Sequence, residues 1–194
     1  SVLGSDGGVI GFDCGPGNAL MDHWCQRHTV RLFDQDGLWA ASGQVIAPLL
    51  RALRSEPYLD LPPPKSTGRD LFNPDWLQGR LVGFAAAAPA DVQATLLEFT
   101  AQACAADLQR HAAPSQALIV CGGGALNTTL MRRLQSTLPT VKVTSSALQG
   151  LPPLQVEAAA FAWLARKAMH RETGSLKSVT GTRGARVLGA IYPR

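Results

Sequence analysis

The chain has 194 residues, of which 46% are hydrophobic and 16% are charged. This composition is typical of a globular domain with its own core, and it argues against intrinsic disorder. The formal net charge of +4 is mild and the basic residues are scattered, so the concentrated basic face that binds nucleic acid is not predicted. A mild positive charge instead favours small molecules that carry phosphate.

The cysteines and the apolar runs bear on metal binding and on location. The four cysteines form no Cys-x-x-Cys pair, and no histidine lies at ligand spacing from one of them. This spacing argues against a zinc site, and no metal-binding residue is predicted. We expect reduced thiols and a cytoplasmic location. Because no apolar run approaches the length of a membrane span, no membrane association is predicted.

The first half of the chain is predicted to be mostly helical. Two short strands joined by a glycine-containing turn are expected in residues 1–11. Apolar side chains at helical spacing predict helices over residues 16–28 and 43–55. Residues 56–72 form a long loop rich in proline, serine and glycine, and loops of this length are often functional. Two further helices are predicted over residues 73–81 and 89–111.

Strands and helices alternate in the second half of the chain. A short apolar strand of the buried kind is predicted at residues 117–121. After a glycine loop, a helix is expected over residues 127–137 and a second strand over residues 141–144. Another helix follows over residues 154–171. This alternation predicts an α/β layer architecture.

The most informative segment is residues 11–18, with the sequence GFDCGPGN. It reads as the end of a buried strand, a glycine-rich turn, and a helix with Pro16 at its first position. A carboxylate at the end of a strand is held rigidly, so Asp13 is suited to act as a catalytic base. The glycines after it let backbone N–H groups approach an anion or a sugar. The alternative is that Asp13 caps the next helix.

A second glycine-rich corner follows the strand predicted at residues 117–121. Gly122, Gly123 and Gly124 form the loop, and Asn127 begins the next helix. A strand, a glycine loop and a helix N-terminus together bring backbone N–H groups close to a phosphate or a nucleoside. The pattern is neither the dinucleotide fingerprint nor a P-loop. From the residues alone, a purely structural turn explains it equally well.

Polar side chains elsewhere add further candidates. Lys65 and Arg69 in the 56–72 loop suit a carboxylate or a phosphate, although a plain surface loop is the alternative. Glu157 stands on an otherwise apolar helix, where an unpaired carboxylate is unfavourable. It either binds a sugar hydroxyl or caps the start of that helix. Asp22 is either a solvated carboxylate or a support for neighbouring groups.

Residues 11–22 resemble the signature of the anhydro-N-acetylmuramic acid kinases, bacterial cell-wall recycling enzymes of the sugar-kinase/actin superfamily. Further blocks agree in the same order, at residues 34–43, 63–69, 121–127 and 179–181. The resemblance implies a ribonuclease-H-like (actin-like ATPase) lobe, with a mixed sheet flanked by helices and a helical insertion near residues 43–111. The family's chain is nearly twice as long and begins with a phosphate loop. The resemblance therefore implies that residues 1–194 form the C-terminal lobe (domain II) of a two-lobe kinase whose N-terminal lobe is absent.

The resemblance also implies an activity. ATP phosphorylates O6 of 1,6-anhydro-N-acetylmuramic acid while a water opens the anhydro ring, and Asp13 matches the base that takes a proton from this water. The triple glycine and the asparagine after it match the segment that packs on adenosine. The candidates for cofactor binding are Gly15, Gly17, Gly122, Gly123, Gly124 and Asn127. Those for substrate binding are Asn18, Lys65, Arg69 and Glu157.

The cofactors and the partners follow from the same resemblance. It implies ATP and Mg²⁺, with the metal ligands in the missing lobe, and a homodimer in the full-length form. The predicted partners are therefore ATP and the anhydro-sugar, with no nucleic acid and no membrane. The competing hypothesis is a non-catalytic nucleotide-binding or assembly module of the actin-like superfamily. Such a module has no need for Asp13 or for the long loop at residues 56–72.

Overall fold

The computed structural model describes residues 1–113 and 115–192. Within these residues the chain is mixed α/β and mostly helical, with two small sheets. The helices, in chain order, are α1 (Ala19–Thr29), α2 (Leu38–Ser42), α3 (Ala47–Arg54), α4 (Pro74–Arg80), α5 (Pro89–His111), α6 (Thr128–Thr137), α7 (Val156–Met169) and α8 (Lys177–Thr180). Single 3₁₀ turns lie at Gln35–Gly37, Pro57–Asp60, Gly123–Leu126, Ser146–Gln149 and Pro153–Gln155.

Each sheet has two strands. β1 (Val2–Leu3) pairs antiparallel with β2 (Val9–Ile10), with Leu3 opposite Val9. β3 (Ala117–Val120) pairs in parallel with β4 (Lys142–Ser145), and the pairing is in register along the full length of both strands. α6 provides the crossover that a parallel pair requires.

The sequence predicts one mixed sheet. In the described residues the strands instead form two separate two-stranded sheets. β2 ends at Ile10, although the sequence predicts a buried strand that reaches into residues 11–18. After it, the backbone N–H of Asp13 donates to the carbonyl of Lys65 at 3.1 Å. The chain that follows β2 is thus bonded to the long loop instead of to another strand. Gly11 also passes so close to α8 that a Cβ would stand 2.5 Å from Val179.

α5 lies at the centre of the fold, packed against α1, α2, α3 and α6. Its Phe99 is fully buried. The ring centroid of Phe99 lies 6.2 Å from that of Phe72 and 6.1 Å from that of Trp76. These rings attach the end of the long loop and α4 to the central helix. Burial of aromatic side chains on this scale dominates the stability of a core.

The predicted helices are confirmed with shifted ends. The first begins at Ala19 and not at Pro16, because Gly17 has a left-handed φ of 57° that interrupts helical backbone. The second begins at Ala47, because the backbone at Gly43 and Ile46 is extended. The last long helix is found as α7, but none of its described residues is buried. No helix in the described part of the chain is both long and apolar enough to cross a membrane.

Candidate functional site

Asp13 lies between β2 and α1, and hydrogen bonds fix both its main chain and its side chain. Its carbonyl accepts a hydrogen bond from the Tyr58 hydroxyl at 2.9 Å, and its N–H donates to Lys65. Its Oδ2 accepts from the Ser66 hydroxyl at 3.2 Å and from the Thr67 N–H at 3.0 Å. Among the described residues, Oδ1 accepts no hydrogen bond. The carboxylate is thus exposed and fixed, with one oxygen available to take a proton.

The glycine-rich turn after Asp13 lies against α5. A Cβ on Gly15 would stand 3.2 Å from the side chain of Ala103. The carbonyl of Gly17 accepts a hydrogen bond from the Thr100 hydroxyl at 2.8 Å. Gly15 is therefore required for the close approach to the helix, and Gly17 for its left-handed backbone. Both line the cavity that contains Asp13.

Asn18 occupies the N-cap position of α1, so the alternative in which Asp13 caps this helix is wrong. Asn18 also lies between two cavities. The base cavity, of about 430 Å³, contains Asp13 and Arg69. The glycine cavity, of about 300 Å³, contains Gly123. A Cβ on Gly123 would stand 3.6 Å from the Asn18 amide nitrogen, so the two predicted corners of the sequence meet at this side chain.

The glycine cavity has apolar walls and a few polar groups. Phe33, Leu126 and Leu154 supply apolar surface beside the two glycines of the loop. An apolar slot with a few convergent polar groups is the usual form of a site for a small molecule or a cofactor. Its other lining residues are Asn18, Met21, Asp22, Asp34, Gln35, Asp36 and Asn127.

The predicted nucleotide-binding residues do not all reach this cavity. Gly122 lines neither cavity, and its N–H donates to the carbonyl of Pro153 at 3.0 Å. Its φ of 72° shows that it shapes the turn. Asn127 lines the cavity and also caps α6, because its side chain accepts from the Leu130 N–H at 2.9 Å. The other two glycines of the loop line the cavity, and their contact with a nucleotide stays a prediction.

Asp22 supports Asn18 from α1. The Asn18 amide donates a hydrogen bond to the Asp22 carboxylate. Burial raises the pKa of Asp22, while the bond from Asn18 and the nearby Arg69 charge act in the opposite direction. Of the two roles that the sequence left open, the structure therefore favours support over a solvated carboxylate.

The predicted substrate-binding side chains occupy three different environments. Arg69 is exposed and lines the base cavity. Lys65, by contrast, points inward, and its Nζ lies 2.8 Å from the Asp107 carboxylate with both side chains almost fully buried. Lys65 is thus neither a ligand of the base cavity nor part of a plain surface loop. Glu157 is exposed in the first turn of α7, lines neither cavity, and makes no capping hydrogen bond among the described residues.

Tyr58 is a site residue that sequence reasoning missed. Its hydroxyl holds the main chain of Asp13, and it lies in the 3₁₀ turn Pro57–Asp60 of the long loop. The available signal was weak, because it consisted of one tyrosine inside a loop that the sequence left open between a functional loop and a plain surface loop. Phe33 and Leu154 were missed for a related reason, since single exposed apolar residues are common on protein surfaces.

The ionisation of Tyr58 gives a testable pH dependence. Burial raises the pKa of Tyr58 to about 12, with the charges of Asp13 and Asp107 adding to the effect. Because this folded pKa exceeds the ordinary value, the stabilisation by its O–H is complete below about pH 10 and is lost as the pH rises through about 12. In a Tyr192→Phe variant, where Tyr58 is the remaining tyrosine, we expect the tyrosinate absorbance to titrate with a midpoint near 12. A midpoint near the ordinary value would contradict the half-buried placement of Tyr58 beside Asp13.

The whole chain, residues 1–194, matches the family model described as anhydro-N-acetylmuramic acid kinase. Proteins of that name are 65% identical in Variovorax paradoxus (strain S110), 56% in Cupriavidus pinatubonensis and 55% in Chromobacterium violaceum. These matches cover 95%, 100% and 96% of this chain and 49%, 52% and 51% of the three relatives. The chain thus spans about half the length of the curated relatives it matches. The family is part of the actin-like ATPase superfamily. The resemblance seen in the sequence is confirmed, and the chain belongs to the anhydro-N-acetylmuramic acid kinase family.

Proposed function

We propose that this chain supplies one half of the active site of a kinase that phosphorylates 1,6-anhydro-N-acetylmuramic acid with ATP. Water attacks the anomeric carbon, the bond from that carbon to O6 breaks, and O6 attacks the γ-phosphorus so that ADP leaves. The observation that carries the proposal is the position of Asn18 between the base cavity and the glycine cavity. Transfer between two substrates requires them to meet, and Asn18 is the place where the two cavities adjoin.

Asp13 is the proposed base for the attacking water. Its Oδ2 is held by Ser66 and Thr67, so Oδ1 remains to accept the proton. A carboxylate that activates water at an anomeric carbon plays the same role in inverting glycosidases. The exposure of Asp13 in the base cavity allows a water and a sugar to reach it.

ATP is assigned to the glycine cavity, with its phosphates directed toward the base cavity. Adenosine would contact Gly123, Gly124 and Asn127. The backbone of Gly15 and Gly17 would then lie near the phosphates. Arg69 lines the base cavity, and a planar guanidinium suits the lactyl carboxylate of the sugar. A contact between Glu157 and the sugar stays a prediction.

Mg²⁺ fits this arrangement as an ion that would be bound mainly by the ATP phosphates. In the described residues, no three His, Cys, Asp or Glu side chains are grouped so that they could hold an ion. Mg²⁺ usually keeps several waters and is bound through one or two carboxylates together with substrate phosphates. When bound, it neutralises phosphate charge. No metal ligand is assigned to this chain.

The finer fold assignment belongs to the same proposal. We assign the chain as the ribonuclease-H-like C-terminal lobe of a two-lobe kinase, with a homodimer as the full-length form. The parallel β3–α6–β4 unit with its glycine corner supports the lobe assignment. The homodimer rests on the family alone.

The test compares a kinase of the relatives' full length that contains this sequence with the 194-residue chain. We expect the former to convert ATP and the anhydro-sugar into ADP and the 6-phosphate, with one oxygen from ¹⁸O-labelled water at the anomeric carbon. The 194-residue chain should show no turnover, because it spans about half of each relative. N-acetylglucosamine, which lacks the anhydro bridge, is the control substrate.

Two results would contradict the proposal. Appreciable sugar phosphate formed by the 194-residue chain alone would show that this chain contains a complete active site. ATP binding by the full-length protein, without sugar phosphate under any of these conditions, would favour a nucleotide-binding or assembly module.

A further inference from the structure

Lys65 and Asp107 form a buried ion pair close to Asp13. The Lys65 Nζ lies 2.8 Å from Asp107 Oδ2, and the two side chains are 2% and 4% exposed. The same nitrogen donates to the carbonyl of Leu59 at 3.1 Å. It also lies 5.2 Å from the ring centre of Tyr58. An ammonium enclosed in this way is not available to a ligand in the base cavity, so it needs another explanation.

The surroundings of Lys65 also supply the hydrogen bonds of Asp13. The Lys65 carbonyl accepts the Asp13 N–H, and the next two residues hold Oδ2. Tyr58, over whose ring the ammonium lies, donates to the Asp13 carbonyl. Among the described residues, every hydrogen bond that Asp13 donates or accepts is with Tyr58 or with residues 65–67. The orientation of the carboxylate therefore depends on where this part of the loop lies.

The ion pair attaches the loop to α5, the helix at the centre of the fold. Lys65 is the one buried residue among residues 61–70, so its side chain is the main link between this segment and the protein interior. Asp107 lies on the central helix α5. Arg110, one turn further, donates to Asp107 at 3.4 Å and to the carbonyl of Leu59 at 3.0 Å. The carboxylate of Asp107 is thereby held in place for Lys65.

We infer that Lys65 is a positioning residue, which directs the carboxylate of Asp13 by fixing residues 65–67 on Asp107. The inference rests on the proposed function, in which Asp13 is the base. Removing the ammonium leaves the Asp107 carboxylate buried without its main partner, which is strongly unfavourable. The segment then moves, and Asp13 moves with it. A displacement of about 1 Å in a reacting group can lower a rate by about 10².

The first measurement uses a kinase of the relatives' full length that contains this sequence. We expect Lys65→Met to lower kcat about 10- to 100-fold. The KM for ATP should change little, because Lys65 and the residues it holds do not line the glycine cavity. A kcat within about twofold of the unmodified enzyme would overturn the inference, since a tenfold change is the smallest effect expected.

Arg80→Met is the matched control. It removes the ion pair between Arg80 and Glu56, at 2.9 Å, near the start of the same loop. This pair makes no hydrogen bond to Asp13 in the described residues. We expect Arg80→Met to lower the melting temperature and to leave kcat nearly unchanged. An equal loss of kcat in both variants would overturn the inference, because general loosening of the loop would then explain it.

Azide distinguishes a misdirected base from a distorted site. Azide attacks the anomeric carbon without releasing a proton, so a carbon–nitrogen bond forms and O6 still departs to the γ-phosphorus without help from Asp13. We expect azide to raise turnover severalfold in Asp13→Ala and in Lys65→Met, with the azido 6-phosphate seen by mass spectrometry. Rescue of Asp13→Ala without rescue of Lys65→Met would overturn the inference.

Two provisions keep the test decisive. If Lys65→Met shows no cooperative thermal transition, Asp107→Asn, which keeps the shape of the side chain, is carried through the same measurements with the same expected results. If the unmodified enzyme does not turn over the anhydro-sugar, the proposed function itself fails. Turnover that survives Lys65→Met overturns the positioning role alone.

Discussion

Replacing Asp13 by asparagine, in a kinase of the relatives' full length, is expected to lower kcat by about 10²- to 10⁴-fold. Asparagine keeps the size of the side chain and can still accept hydrogen bonds from Ser66 and Thr67. It cannot take a proton from water. The anhydro-sugar should therefore bind with nearly unchanged affinity while turnover is lost. Release of ADP measures turnover, and calorimetric titration measures the affinity for the sugar.

The control for this experiment is Asp70→Asn. Asp70 is an exposed carboxylate near the base cavity but not among its lining residues. Its substitution should leave kcat within about twofold, the range expected of a surface change. If Asp13→Asn retained most of the activity, a different group would have to be the base. If it abolished sugar binding instead, Asp13 would hold the substrate without activating water.

Phe99→Ala is expected to destabilise the 194-residue chain by about 3–5 kcal/mol. Phe99 is fully buried at the centre of α5 and packs against Phe72 and Trp76. The loss combines the transfer of an aromatic side chain with the cavity left behind. Since domains are stable by about 5–15 kcal/mol, this single substitution removes a large part of the total. Urea denaturation followed by circular dichroism gives the free energy of unfolding.

Phe161→Ala on α7 is the matched control, because the Phe161 side chain is 64% exposed. The same change of residue type should alter the free energy of unfolding by less than about 0.5 kcal/mol. Equal effects at the two positions would contradict the burial of Phe99 at the centre of the core.

Local signals in the sequence predicted several elements to within a residue. α5 spans Pro89–His111 as expected, because a proline at its start and a long apolar periodicity mark it clearly. Asn73 caps α4, as the Asn-Pro pair indicates. The sheet was harder to predict, because strand pairing is decided by partners distant in sequence. Whether the residues after Ile10 pair with a strand or with the loop depends on Lys65, and no periodicity reveals that.

The candidate site was predicted in part for the same reason. Asp13 and the two glycine corners are marked by local patterns, and the structure brings the corners together at Asn18. Lys65 shows the limit of such patterns. A lysine in a polar loop reads as a ligand, yet its charge is neutralised by Asp107 inside the protein. An ion pair between distant segments produces no local pattern in the sequence of either segment. The hydrogen bonds from Ser66 and Thr67 to Asp13 could not be predicted for the same reason.

Asn18 has a consequence for how two ligands would affect each other. Asn18 lines both cavities, and its amide donates a hydrogen bond to Asp22, which lines the glycine cavity as well. A ligand in one cavity that rotates the Asn18 amide also changes the lining of the other cavity. Thermodynamic linkage then makes the effect reciprocal, so each ligand alters the affinity of the other by the same factor. Cooperativity between nucleotide and sugar can thus arise from a single side chain, without any movement of whole domains.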